Sequence, residues 1–285
     1  MKKVLFMLFT ATILFVGCKK EEDITPITGG DSQVTIKFSP YEMTPMKATH
    51  PISEYTTHLD VYIQDNTDPS TPLIRFHQNT TSTSNYGTIT TNMNSGHNYT
   101  IYAVAHRGTD TATLTNNVII FPDNEKVTHT FFYKNTFSPE YNTDINCIMK
   151  RIIGQIRFTI QDTVPSEVTK MYFVVDSSYT RWNLNDYPEH KVSAPKLFQN
   201  FTLNTNGGAT FNVYVMSESD TTTMFVNLTA QALTSNDSIF DQHQLFDIPI
   251  RNGYQTECKG TFFRNFNMGA TFVAPDWNTW DDFNY

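Results

Sequence analysis

The sequence predicts an all-β protein of two successive antiparallel β-sandwich domains. Three observations carry this reading. Apolar and polar residues alternate in run after run, helical periodicity is almost absent, and turn-forming clusters separate the runs. Charged residues make up only 17% of the chain while Thr, Ser and Asn are abundant, which suits strands with hydroxyl-rich outward faces.

The first run places Val34, Ile36 and Phe38 on one strand face, with Thr35 and Lys37 opposite. Leu59, Val61 and Ile63 repeat the pattern, as do Phe131 and Tyr133 with Thr130 and Phe132 opposite. Later, Ile156, Phe158 and Ile160 alternate with Arg157 and Thr159, and Phe211, Val213 and Val215 form another such face. Val226, Leu228, Ala230 and Ala232 make the last clear one. Period-two patterning with a wet face implies antiparallel sheets packed on one side. Asp65-Asn66-Thr67-Asp68-Pro69, Asn94-Ser95-Gly96, Asn204-Thr205-Asn206-Gly207-Gly208 and Arg251-Asn252-Gly253 supply the turns between them.

The chain also repeats itself once in segment order. VTIKFSP, HLDVYIQD, NYTIYAVAHRGTD and NVIIFPDNEKVTHTFFY are answered by GQIRFTIQD, KMYFVVD, ATFNVYVMSESD and QLFDIPIRNGYQTECKGTFF. The expected domains are 32–136 and 145–285, joined by a polar linker at 137–144 that contains Pro139 and Glu140. Residues 18–31 read as a tether, given their charge and the breakers Pro26, Gly29 and Gly30.

Met1-Lys2-Lys3, an apolar run from Val4 to Val16, then Gly17 and Cys18, have the layout of a secretory signal over residues 1–17, too short to span a bilayer. The cysteine directly after the cut resembles a bacterial lipoprotein signal, which implies an acylated Cys18 and a chain held to the membrane by lipid. Lys19 and Lys20 followed by Glu21, Glu22 and Asp23 resemble the surface-export signal of Bacteroidetes lipoproteins, so the expected location is the outer membrane, facing the exterior. Loss of Lys2 and Lys3 with the signal takes the net charge from −8 to −10. An acidic chain of this kind lacks the basic patch that nucleic acid demands.

No catalytic constellation is legible. The chain has no Walker loop, HExxH, Gly-x-Ser-x-Gly elbow or paired-cysteine zinc motif, and its eight histidines show no metal-ligand spacing. No enzyme activity, cofactor or metal is therefore expected. His97 and His106 flank a strand and read as solvent-facing. Asp65 to Asp68 reads as a plain turn, lacking the central Gly and distal Glu of a calcium loop. Tyr179, Trp182 and Tyr187 beside Asn183, Asn185 and Asp186 read either as a long loop's own small core or as a sugar-stacking platform. Trp280, Phe283 and Tyr285 at the C-terminus are candidate partner contacts. With Cys18 given to lipid, Cys147 and Cys258 are left to form one disulfide or remain two buried thiols.

Together, the lipid-anchored cysteine, the acidic tether and the two sandwiches resemble the fimbrial anchor and fimbrillin-like surface lipoproteins of Bacteroidetes. HLDVYIQD, GHNYTIYAVAH, MKRIIGQIRFTIQDTVPSEVTKMYFVV and IPIRNGYQTECKG carry most of that likeness. The resemblance implies transthyretin-like domains, other fimbrial or surface subunits as partners, and assembly by adding a strand of one subunit to a groove in the next. It also raises the question of proteolytic maturation. Arginine is absent before Arg75, with Lys47-Ala48 a cut open to a lysine-directed protease, so an anchor or accessory subunit is expected. A surface glycan-binding lipoprotein of a polysaccharide-uptake system is the alternative, with Trp182 as its platform.

Overall fold

The structure, a computed structural model, describes residues 31–40, 50–199 and 201–273. The signal peptide, residues 18–30 of the tether with Cys18 among them, the Lys47-Ala48 pair, Trp280, Phe283 and Tyr285 lie outside the described residues. Within them the chain is almost entirely strand, in two sheets of seven and ten strands.

The first sheet comprises β1 (Asp31–Pro40), β2 (His58–Asp65), β3 (Ile74–Asn79), β4 (Thr88–Asn94), β5 (Tyr99–His106), β8 (Thr130–Phe137) and β9 (Thr143–Arg151), in the order β3-β2-β5-β8-β9-β1-β4. β8 and β9 pair only at Phe131↔Arg151 and Phe132↔Lys150. Beyond that corner they part, so β3-β2-β5-β8 forms one layer and β9-β1-β4 the other. Val34, Ile36 and Phe38 meet Leu59, Val61, Ile63, Ile101 and Phe131 between the layers, as the alternation requires. β5, and β8 over Thr130–Phe132, are buried on both faces: Tyr102, Val104 and Phe132 point away from this core into a second apolar cluster. The connection from β5 to β8 carries a small hairpin, β6 (Thr113–Thr115) and β7 (Val118–Ile120), and one helical turn, α1 (Pro122–Glu125).

The second sheet comprises β10 (Ile153–Ile160), β11 (Val168–Asn183), β12 (Tyr187–Gln199), β13 (Ala209–Met216), β14 (Met224–Thr234), β15 (Ile239–Ile250), β16 (Gln255–Thr261) and β17 (Asn267–Val273), together with the β6–β7 hairpin. It repeats the first plan. β10 lies between antiparallel β13 and parallel β16, as β1 lies between antiparallel β4 and parallel β9. β11 lies between β12 and β14, as β2 lies between β3 and β5. The two layers touch through a single pair, Tyr179↔Met216. Phe158, Phe173, Phe211 and Phe262 fill the core between them.

Three expectations change. The repeat is present, but the counterpart of β5 is β14 and not β13. The error has a physical source: β4, the true counterpart of β13, buries only Ile89 and Met93 and is too polar to read as a core strand. The polar stretch 137–144 holds the end of β8, the loop 138–142 and the start of β9, and β9 pairs with β1, so the chain passes to the second sheet at Ile152 without a linker. Finally, the stretch around Trp182 is the tip of a long β11–β12 hairpin, with its turn after Asn183.

Immediately past the crossing, Gly154 fits where no other residue would: a Cβ there would lie 2.7 Å from the Arg251 carbonyl oxygen.

Candidate functional site

A seam joins the two units around the tip of the β11–β12 hairpin. β7, which belongs by sequence to the first unit, pairs with the tip of β11 through Arg181↔Ile120, Trp182↔Ile119 and Asn183↔Val118. The Leu184 amide donates to the Asn117 carbonyl at 2.8 Å, extending this ladder into the turn. Ile119, Phe121, Phe132, Ile153, Trp182 and Met216 form the apolar cluster under it. Apolar burial of this kind is the main source of association between packed units.

Trp182 is 2% exposed, its ring 5.8 Å from that of Phe132. A sugar-stacking platform needs an open ring face, and Trp182 offers none: of the two readings of this cluster, the buried core is the one its packing matches. Its indole N–H finds no acceptor among the described residues. Tyr187 at the same hairpin is exposed, and the Tyr179 hydroxyl donates to Glu218.

Three polar ties cross the seam. Glu125 accepts from Arg181 Nε at 3.0 Å and from Thr180 Oγ1 at 2.6 Å, with His190 Nδ1 2.9 Å away. Burial pushes the Glu125 carboxyl up, but the hydrogen bonds from Arg181, Thr180 and His190 outweigh it and hold it at about 2. Lys196 on β12 is buried, and its Nζ donates to the Val127 carbonyl at 2.8 Å. Burial, with the nearby Lys126 charge, pushes this amine down to about 7. The Tyr214 hydroxyl and His129 Nε2 lie 2.7 Å apart, and burial, then Arg151 and Arg107, hold His129 well below the usual imidazole range. None of these ties was legible in the sequence, because each joins residues more than fifty positions apart with no motif spacing between them.

Beside the seam opens a cleft of about 320 Å³ lined by Tyr133, Lys150, Trp182, Asp186, Asp220 and Asn252 among others. Burial raises the Asp186 carboxyl above its ordinary range, against the pull of Lys150 and Lys134.

The remaining sequence candidates resolve as follows. Cys147 and Cys258 are both free and lie in separate cores, which matches the second of the two readings left open, two buried thiols. Desolvation pushes each up to about 12. Asp65 makes a plain turn, accepting from the Thr67 and Asp68 amides at 2.9 and 3.1 Å, with His97 Nδ1 2.7 Å from its other oxygen. His106 is not solvent-facing: it is 1% exposed and stacked on His58, with Asp60 3.5 Å away. Among the described residues no group of three or more His, Cys, Asp or Glu could hold a metal ion. No helix among them is long and apolar enough to cross a membrane.

No known family profile matches the chain, and no curated protein does. Solved structures do match. A candidate adhesin of Bacteroides thetaiotaomicron superposes with a TM-score of 0.56 at 10% identity, over 89% of this chain and 98% of its own. A candidate polysaccharide-binding protein of the same species gives 0.50 at 10% identity, over 81% and 92%. The fimbrial anchor protein Mfa2 of Porphyromonas gingivalis gives 0.47 at 10% identity, over 85% and 95%, an overlap too low to argue from. At this identity the likeness is one of fold alone.

Proposed function

We propose that this protein is a lipid-anchored cell-surface structural subunit, a fimbrial anchor or accessory subunit that joins its neighbours by β-strand addition. Cys18 would carry the lipid and place the chain on the outer membrane, with the acidic tether directing it outward. The fold shared with a candidate adhesin supports a surface adhesion role.

The observation that carries the assembly reading is a difference between the two units. In the second, β17 pairs along β16 from Gln255 to Thr261 and closes that edge. In the first, the corresponding strand β9 pairs with β1 on one side, and on the other meets only Phe131 and Phe132 at its very end. Among the described residues, Thr143 to Met149 therefore has an unpaired edge. Unpaired backbone groups are a template for an added strand, and exposed Ile148 stands beside them. A photoreactive residue at Asn146 or Ile148 in native cells should cross-link to another surface subunit. Absence of any protein adduct, with the membrane-held protein intact, would overturn strand addition at this edge.

The seam cleft favours one second reading, a glycan-binding surface lipoprotein, in line with the candidate polysaccharide-binding fold neighbour. Here the ligand would meet Asp186, Lys150 and Asp220 and not the face of Trp182. Calorimetric titration with soluble polysaccharides, weakened by Asp186→Ala, would support it; no heat with any polysaccharide would remove it.

A further inference from the structure

We propose that His77, His58 and His106 form an acid-sensitive latch that holds the β5–β8 connection, and with it the β6–β7 hairpin, against the first sheet. The three imidazoles stand on neighbouring strands β3, β2 and β5, with His58 directly opposite His106. Their rings stack in a row, the His58 centroid 5.4 Å from each of the other two. One carboxylate serves the row: Asp60 Oδ1 lies 2.7 Å from His77 Nδ1, and Oδ2 lies 3.5 Å from His106 Nε2. The same Oδ2 accepts the Ala112 amide at 3.2 Å, one residue before β6. The connection closes over the row at two further points. The Gly108 carbonyl accepts from Thr57 Oγ1 at 2.9 Å, and a Cβ on Gly108 would lie 2.7 Å from His106 Nδ1. Phe121, just after β7, sets its ring edge-on to His106 at 5.7 Å. His58 and His106 are thereby buried, whereas His77 is exposed.

The closed row accommodates one proton and resists a second. A first proton suits His77, beside the Asp60 carboxylate. A second would set like charges 5.4 Å apart on stacked rings, one of them buried, with Asp60 already engaged. His58 is further held neutral by Asn79. Thr81 donates to Asn79 Oδ1 through its amide and hydroxyl, at 2.8 and 2.7 Å, which turns Asn79 Nδ2 towards His58, 3.2 Å from Nε2. An amide donor facing an imidazole nitrogen calls for a lone pair there, not a proton. The surrounding charges are directed elsewhere. Asp110 is exposed, Arg107 donates to the Glu54 and Tyr55 carbonyls, and Arg75 lies over Tyr62. At the far end of the connection Glu125 is engaged by Arg181, Lys196 beside Lys126 donates to Val127, and His129 faces Tyr214. Burial, then His106 and His77, accordingly hold His58 below the usual imidazole range against the pull of Asp60 and Asp110. Lifting the connection uncovers His58 and His106, which then take protons that the closed form refuses. The closed form is thus favoured above about pH 6.5 and loses ground as pH falls below it.

The test is amide hydrogen exchange of the full-length chain by mass spectrometry at pH 7.5 and 5.5, corrected for the intrinsic exchange rate at each pH. Peptides within 107–121 should lose about tenfold or more of their protection at pH 5.5, while those within 156–160 keep theirs. His58→Gln puts an uncharged amide in the row and leaves His129 in place, so it should shrink that loss. Unchanged protection of 107–121 in the native chain would overturn the latch. So would a His58→Gln chain that loses as much as the native one, since the acid response would then belong to His129. Should this variant fail to fold at pH 7.5, a histidine NMR titration of the native chain decides. Uptake of no more than one proton by the row while 107–121 stays protected supports the latch, and uptake of two or more in that state overturns it.

Discussion

At the scale of single residues, burial decides behaviour more than residue type does. Cys147 and Cys258 should resist alkylation in the folded protein and react fully in denaturant, since the thiolate is the reactive form and both are pushed up to about 12. Mass spectrometry after iodoacetamide reads this directly, and labelling of the native chain would contradict it. Trp182→Ala should cost about 3–5 kcal/mol in urea unfolding, the range for deleting a large core aromatic. A platform residue would cost almost nothing.

The buried titratable groups of the seam act in separate pH windows. His129 is held low by burial, so below about 6.5 the unfolded chain takes up a proton that the folded chain refuses, and stability falls with falling pH. Glu125, held at about 2 in the fold against an ordinary 4.5, adds a second loss as pH falls from 4.5 towards 2. Lys196 works at the other end. Between about 7 and 10.5 the unfolded chain holds a proton that the folded chain has released, so stability rises with pH across that span. Lys196→Met should flatten this rise relative to the native chain, as read by urea midpoints at pH 7 and pH 10. An identical slope in both would show that the amine keeps its proton in the fold.

At the scale of elements, the strands whose sequence alternates were legible, and the rest were not. β1 and β14 alternate because one side packs on a core and the other meets water, whereas β2, β10 and β13 alternate in sequence although both of their faces are largely covered. β9 alternates too, but Asp144, Asn146 and Lys150 with a preceding Pro139 gave it the look of a linker's end. The β11–β12 hairpin hid for another reason. Its tip is buried by a partner far away in sequence, β7, so aromatic residues beside amides resembled a loop. The seam, where the candidate site lies, was illegible for the same cause: alternation reports that a side chain is buried and not what buries it. β7 should accordingly be a structural tie. Ile119→Asp, which puts a charge in the seam cluster, should lower the thermal midpoint and expose Trp182, seen as a red shift of its fluorescence. An unshifted spectrum would mean that the hairpin does not cover Trp182.

At the scale of the whole molecule, two units of one plan differ in what closes them. The second carries its own covering strand, β17, while the first has none beside β9 among the described residues. On the proposed function, such a subunit would be held to the membrane through Cys18 and would offer the β9 edge to a neighbour. Everything in that account depends on Cys18 being the lipid-bearing start of the mature chain. The most direct measurement is peptide mapping by mass spectrometry of the protein extracted from native membranes. The account predicts an N-terminal peptide beginning at acylated Cys18, with residues 1–17 gone. A mature chain beginning elsewhere, or Cys18 recovered without lipid, would contradict it.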